Sequence, residues 1–110
     1  MNFNVQEINQ VQVIDVQGNI DLYNIKHLKD LVDSLIAENK SKIILTLDNV
    51  PFIDSSGLGG LFYMINKIKK SGGMMKVTKS TKTLTNSIEL ILQDTNIQFC
   101  KTVDEAVKSF

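Results

Sequence analysis

The chain has 110 residues, 43% of them hydrophobic and 22% charged, with a formal net charge of zero; this is enough for one domain with a real core, expected over residues 1–110. All twelve basic residues are lysine, which argues against a nucleic-acid partner, where a basic excess and arginine would be needed for phosphates and base edges. No charged N-terminal region precedes an apolar one and no apolar run nears the length of a membrane span, so a cytoplasmic protein without membrane association is expected.

In chain order, Asn2 to Ile8 reads as a first strand with Phe3, Val5 and Ile8 as inward candidates. Asn9-Gln10 reads as a tight turn, and Val11, Val13 and Val16 continue a second strand, making a hairpin. Gly18-Asn19 ends it. Asp21 then stands before a helical pattern as its expected cap, with Ile25, Leu28, Val32 and Leu35 in one apolar stripe widened by Leu31 and Ile36. Asn39 is the expected helix end. Lys42 to Asp48 is a short apolar run between polar residues, the pattern of a strand buried on both faces.

A second helix carries Leu58, Leu61, Phe62, Ile65 and Ile68 and starts at Asp54 or Ser55, both good caps. Lys67, Lys69 and Lys70 suit its negative end, and Gly72-Gly73 stops it. Met74 to Thr78 reads as a fourth strand. Ser80 or Thr81 is the candidate cap of a helix bearing Leu84, Ile88, Ile91 and Leu92. Ile97-Gln98-Phe99 alternates like a short edge strand. Thr102-Val103-Asp104-Glu105 has the form of a capping box opening a last helix that buries Val103, Ala106, Val107 and Phe110. A hairpin followed by alternating helix and strand is an α/β domain with a mixed sheet of four to five strands and about four helices. With strands two, three and four parallel and right-handed crossovers, the loops at 18–21, 49–55 and 78–83 share one sheet edge, and Asp21 lies near Ser55.

The stretch Pro51-Phe52-Ile53-Asp54-Ser55-Ser56-Gly57-Leu58-Gly59-Gly60 therefore places two serines and a carboxylate where a central strand has ended and a helix begins. The positive end of that helix favours anions. Three glycines in four positions are unusual there, since each costs about 1 kcal/mol against alanine, and close backbone approach is the expected reason. On physical grounds alone the run also fits a plain helix cap. It lacks the Gly-x-Ser-x-Gly of a nucleophile elbow: Ile53 and Gly57 flank Ser55. His27, the only histidine, sits beside the apolar stripe and reads as a solvated surface residue, so no catalytic base is in view. No Gly-Lys-Ser/Thr follows at phosphate-loop spacing and no dinucleotide fingerprint is present. No cluster has metal-ligand spacing. Cys100 stands alone, which excludes an internal disulfide framework, and reads as a partly buried thiol near a strand end.

The run Ile43-Ile44-Leu45-Thr46-Leu47-Asp48-Asn49-Val50-Pro51-Phe52-Ile53-Asp54-Ser55-Ser56-Gly57-Leu58-Gly59 closely resembles the anti-sigma factor antagonist family of STAS domains. Gly18-Asn19-Ile20-Asp21 resembles that family's Gly-x-Leu-Asp before its first helix, and Gly72-Gly73 before a strand also fits. Gln93-Asp94-Thr95-Asn96 departs from it, standing where the family often has a glycine. The resemblance implies a STAS fold and a binding protein rather than an enzyme, with no cofactor. It implies that Ser55 is a phosphate acceptor and that Asp21, Asp54, Ser56, Gly57, Leu58 and Gly59 flank the partner-binding site. The implied partners are a serine kinase that is also the anti-sigma factor, and a phosphoserine phosphatase. Two alternatives stay open: a STAS module serving a transporter, a lipid-transfer machine or a stress complex, and a module binding an anion or nucleotide, which the absence of arginine weakens.

Overall fold

The computed structural model describes residues 1–78 and 97–110. The helix expected after Ser80 or Thr81, the loop beyond Thr78 and the Gln93–Asn96 departure lie outside those residues. The described elements are β1 (Asn2–Ile8), β2 (Val11–Gln17), α1 (Ile25–Ala37), β3 (Lys42–Asn49), α2 (Ser55–Lys70), β4 (Met74–Thr78), β5 (Gln98–Cys100) and α3 (Val103–Lys108). The five strands form one mixed sheet in the order β1-β2-β3-β4-β5. β1 runs antiparallel to β2 and every later pair is parallel.

The hairpin turns on Asn9 and Gln10, whose φ angles of 51° and 68° are both left-handed. Two such residues in a two-residue loop match the right-handed twist of the flanking strands. β3 is the central strand, and all of Ile43 to Leu47 is buried. Its two faces enter different cores. Ile43, Leu45 and Leu47 join Ile14, Val16 and Val77 under α1 and α2. Ile44 joins Val11, Val13, Cys100 and Ala106 of α3 on the opposite face. Full burial of one such side chain contributes roughly 1.5–3 kcal/mol, so the unbroken apolar run is what places this strand in the middle.

Both long helices end alike. Asn39 adopts φ 61°; its N–H donates to Ile36 O at 3.0 Å and that of Lys40 to Leu35 O at 2.8 Å. Gly72 adopts φ 83°, with Gly73 N–H donating to Ile68 O at 2.9 Å. These are Schellman endings, in which a residue tolerant of positive φ lets orphan carbonyls be satisfied. On the outer surface α1 and α2 are tied by Lys67 Nζ to Asp33 Oδ1 at 2.8 Å, and Lys29 Nζ lies 4.6 Å from the Tyr63 ring centre. At α3, Thr102 Oγ1 accepts from Glu105 N at 3.1 Å, the expected cap.

Three expectations are corrected. α1 begins at Ile25 with Asn24 in the cap position, so Asp21 heads a separate turn before it. Val5 is 39% exposed, because β1 is an edge strand. Ile8 packs with the α3-side cluster, whereas Phe3 packs against the main core. Cys100 is buried in that second cluster. No helix of the described residues is long and apolar enough to cross a membrane.

Candidate functional site

The carboxyl ends of β2 and β3 leave the sheet together. Their pairing shifts register between Asp15 and Gln17, and the chains then continue side by side. Gly18 N–H donates to Asn49 O at 3.0 Å, Ile20 N–H to Phe52 O at 3.0 Å, and Asp54 N–H to Ile20 O at 3.1 Å. Ile20 and Ile53 form a parallel bridge. This ladder brings Asp21 and Ser55 to the same edge, as the topology predicted.

Asp54 is the N-cap of α2, with extended φ and ψ of −84° and −179°. Its Oδ1 accepts from Gly57 N at 2.8 Å, satisfying one of the orphan amides of the first turn. Its Oδ2 accepts from Leu22 N at 3.2 Å, a bond to the other loop. Asp21 Oδ1 accepts from Tyr23 N at 2.9 Å and from Asn24 N at 3.2 Å. Asn24 answers with Oδ1, which accepts from Asp21 N at 2.9 Å, while its Nδ2 donates to Asn19 O at 2.9 Å. Both carboxylates thus hold the loops in place, and only that of Asp54 also caps a helix.

Ser55 is the first residue of α2 and is exposed; Ser56 is half-buried. Leu58 is half-buried against the main core. The three glycines differ. A Cβ on Gly57 would meet Ile20 O and Ile53 Cγ2, each at 2.8 Å, and a Cβ on Gly60 would run into the Ile25 side chain. Their close approaches are to this chain's own loop and helix. A Cβ on Gly59 would meet nothing within 4 Å, so Gly59 leaves the outer face of α2 open. Among the described residues no group of three or more His, Cys, Asp or Glu could hold a metal ion.

Sequence reasoning missed the apolar side chains around Ser55. Leu22 is 62% exposed, Tyr23 88% and Phe52 56%. All three sit in the two loops that the ladder joins. Their one signal in the sequence is that they fall outside the apolar stripes of the neighbouring helices. Asn24 was missed as well; its place three residues after Asp21 is the trace that was there to find.

The STAS domain family model matches residues 2–106, and the chain belongs to that family. Its relatives include anti-sigma factor antagonists. The chain is 33% identical over 87 residues to the anti-sigma-B factor antagonist of Bacillus subtilis, covering 76% of this chain and 78% of that protein. Among solved structures, an anti-sigma factor antagonist from Mycobacterium paratuberculosis superposes with a TM-score of 0.85 at 24% identity, covering 98% of this chain and 92% of that one. The antagonist SpoIIAA in its unphosphorylated form superposes with a TM-score of 0.77 at 15% identity, covering 98% and 96%. SpoIIAA has also been solved in a phosphorylated form. Anti-sigma factor antagonists are non-enzymatic STAS proteins.

Proposed function

We propose that this chain is a phosphorylation-controlled partner-switching protein of the cytoplasm. Unphosphorylated, it binds an anti-sigma factor that is also a serine kinase, and the sigma factor is freed. The kinase phosphorylates Ser55 and the complex is lost. A phosphoserine phosphatase restores the binding form.

The observation that carries this reading is the placement of Ser55: exposed at the first position of α2, beside three exposed apolar side chains in joined loops. Large apolar groups rimmed by polar ones favour a protein partner. Ser56 is a less accessible acceptor because it is half-buried. A phosphate on Ser55 adds about −1.5 to −2 charges and three acceptor oxygens. The helix amides favour it by about 0.3–1 kcal/mol. Asp54 and Asp21, on the same edge, oppose it. The two effects act in opposite directions at an exposed position, so the modification leaves the fold nearly intact. Its main consequence falls on the interface, where an unpaired charge would have to be desolvated among apolar groups.

Incubation with the cognate anti-sigma factor and ATP should add one phosphate, mapped to Ser55 by mass spectrometry. Ser55→Ala should accept none and still bind, since it removes a hydroxyl from an exposed position. Phosphate found on Ser56 instead would overturn the assignment.

A further inference from the structure

Helix capping explains one oxygen of Asp54. A cap needs a single acceptor, and Oδ1 supplies it to Gly57 N at 2.8 Å. Oδ2 reaches across to Leu22 N at 3.2 Å, thirty-two residues away in sequence. The bond is exposed, so without the carboxylate the N–H would be hydrated rather than orphaned, and the bond is not there to rescue a buried donor. What it does is fix the backbone of a loop whose next side chains, Leu22 and Tyr23, are 62% and 88% exposed. The same loop is gripped from its other side by Asp21 Oδ1 on Tyr23 N and Asn24 N.

From this geometry we infer that Asp54 is a positioning residue for partner binding. Through Oδ2 it presents Leu22 and Tyr23 as a preorganised apolar anchor in register with Ser55. The inference rests on the partner-switching reading and specifies the partner's surface: an apolar pocket that receives Leu22 and Tyr23, with Phe52 at its border. Ordering such a loop before encounter removes an entropy cost that would otherwise reduce affinity. One carboxylate then links the helix start that carries Ser55 to the loop that carries the anchor.

The discriminating variant is Asp54→Ser. Serine caps a helix about as well as aspartate, but its single short-armed oxygen cannot serve Gly57 N and Leu22 N together. In the free protein, amide hydrogen exchange should be about tenfold faster at Leu22, the factor that about 1.4 kcal/mol represents, while Gly57 keeps its protection. Titration with the cognate anti-sigma factor should show about a tenfold weaker complex. Leu22→Ala should weaken it comparably, and the double variant should be no weaker than the poorer single variant, because both changes remove the same anchor. Loss of charge at position 54 acting by itself would instead multiply with Leu22→Ala. Unchanged exchange at Leu22, or losses that multiply, overturns the inference. If Asp54→Ser does not fold, Asp54→Asn carries the same measurements. A wild-type protein that binds no anti-sigma factor would sink the functional reading, whereas the exchange comparison in the free protein would still decide whether Asp54 holds the loop.

Discussion

The two sides of α2 follow opposite rules. Its inner side packs Leu61, Met64, Ile65 and Ile68 into the main core, and its glycines there have no room: Gly57 lies against Ile20 and Ile53, Gly60 against Ile25. Its outer side, at Ser55 and Gly59, is open, and nothing stands within 4 Å of a Cβ on Gly59. Glycines two residues apart therefore serve different ends. One lets the loop that carries Leu22 and Tyr23 approach the helix. The other keeps the helix surface flat beside the serine.

The largest expected effect breaks the inner side. Gly57→Val should destabilise the fold by about 3 kcal/mol, because the clashing atom includes the backbone oxygen of Ile20, which cannot rotate away. Urea denaturation checks this, and a wild-type midpoint would remove the close-packing explanation. Next comes the outer rim. Phe52→Ala should leave the melting temperature near wild type, since Phe52 is 56% exposed, yet weaken the anti-sigma factor complex about tenfold, or ~1.4 kcal/mol.

A smaller effect sharpens the contrast between the glycines. Gly59→Ala should raise stability by up to about 1 kcal/mol, the ordinary gain at an open helix position. Gly59→Leu should also melt no lower than wild type but bind the partner more weakly. Normal binding by Gly59→Leu would mean that the outer face is not part of the interface.

The smallest effect concerns the tie between α1 and α2. Hydrogen bonds that the Lys67 ammonium donates to Asp33 and then to Tyr63 hold its pKa above the ordinary 10.5. A raised folded pKa means that the contribution is fully present below the unfolded value. It is lost as pH rises through the folded one. The stability difference between wild type and Lys67→Met should thus stay constant up to about pH 10.5 and shrink above it. The pair is partly exposed, so salt should reduce the difference as well.

Much of this was legible in the sequence, for physical reasons that differ by element. The run Ile43 to Leu47 suited a strand buried on both faces, and it is the centre of the sheet. Asn9-Gln10, Asn39 and Gly72 marked chain reversals, and all four residues take positive φ, which Asn and Gly adopt more readily than Gln. The meeting of Asp21 with the start of α2 followed from parallel strands with adjacent carboxyl ends. What stayed hidden depends on neighbours distant in sequence. Asp21 looks like a helix cap until Asn24 is seen to occupy that position, with Asp21 closing the turn ahead of it. Val5 alternates correctly, but nothing in the alternation says that β1 is an edge. Gly57 and Gly59 cost the same as isolated helix residues and are separated only by what the loop around Ile20 does. Leu22, Tyr23 and Phe52 become a patch only once the ladder from Gly18 to Asp54 joins their loops.

The central claim is that the charge state of Ser55 governs partner binding at this edge while the fold stays the same. The direct measurement is a calorimetric titration of the cognate anti-sigma factor with enzymatically phosphorylated protein and with unmodified protein, each first checked by thermal melting. The account predicts nearly equal melting temperatures and an affinity at least about tenfold weaker for the Ser55 phosphoprotein, which needs only ~1.4 kcal/mol of differential interaction. Equal affinities for the two forms would contradict it.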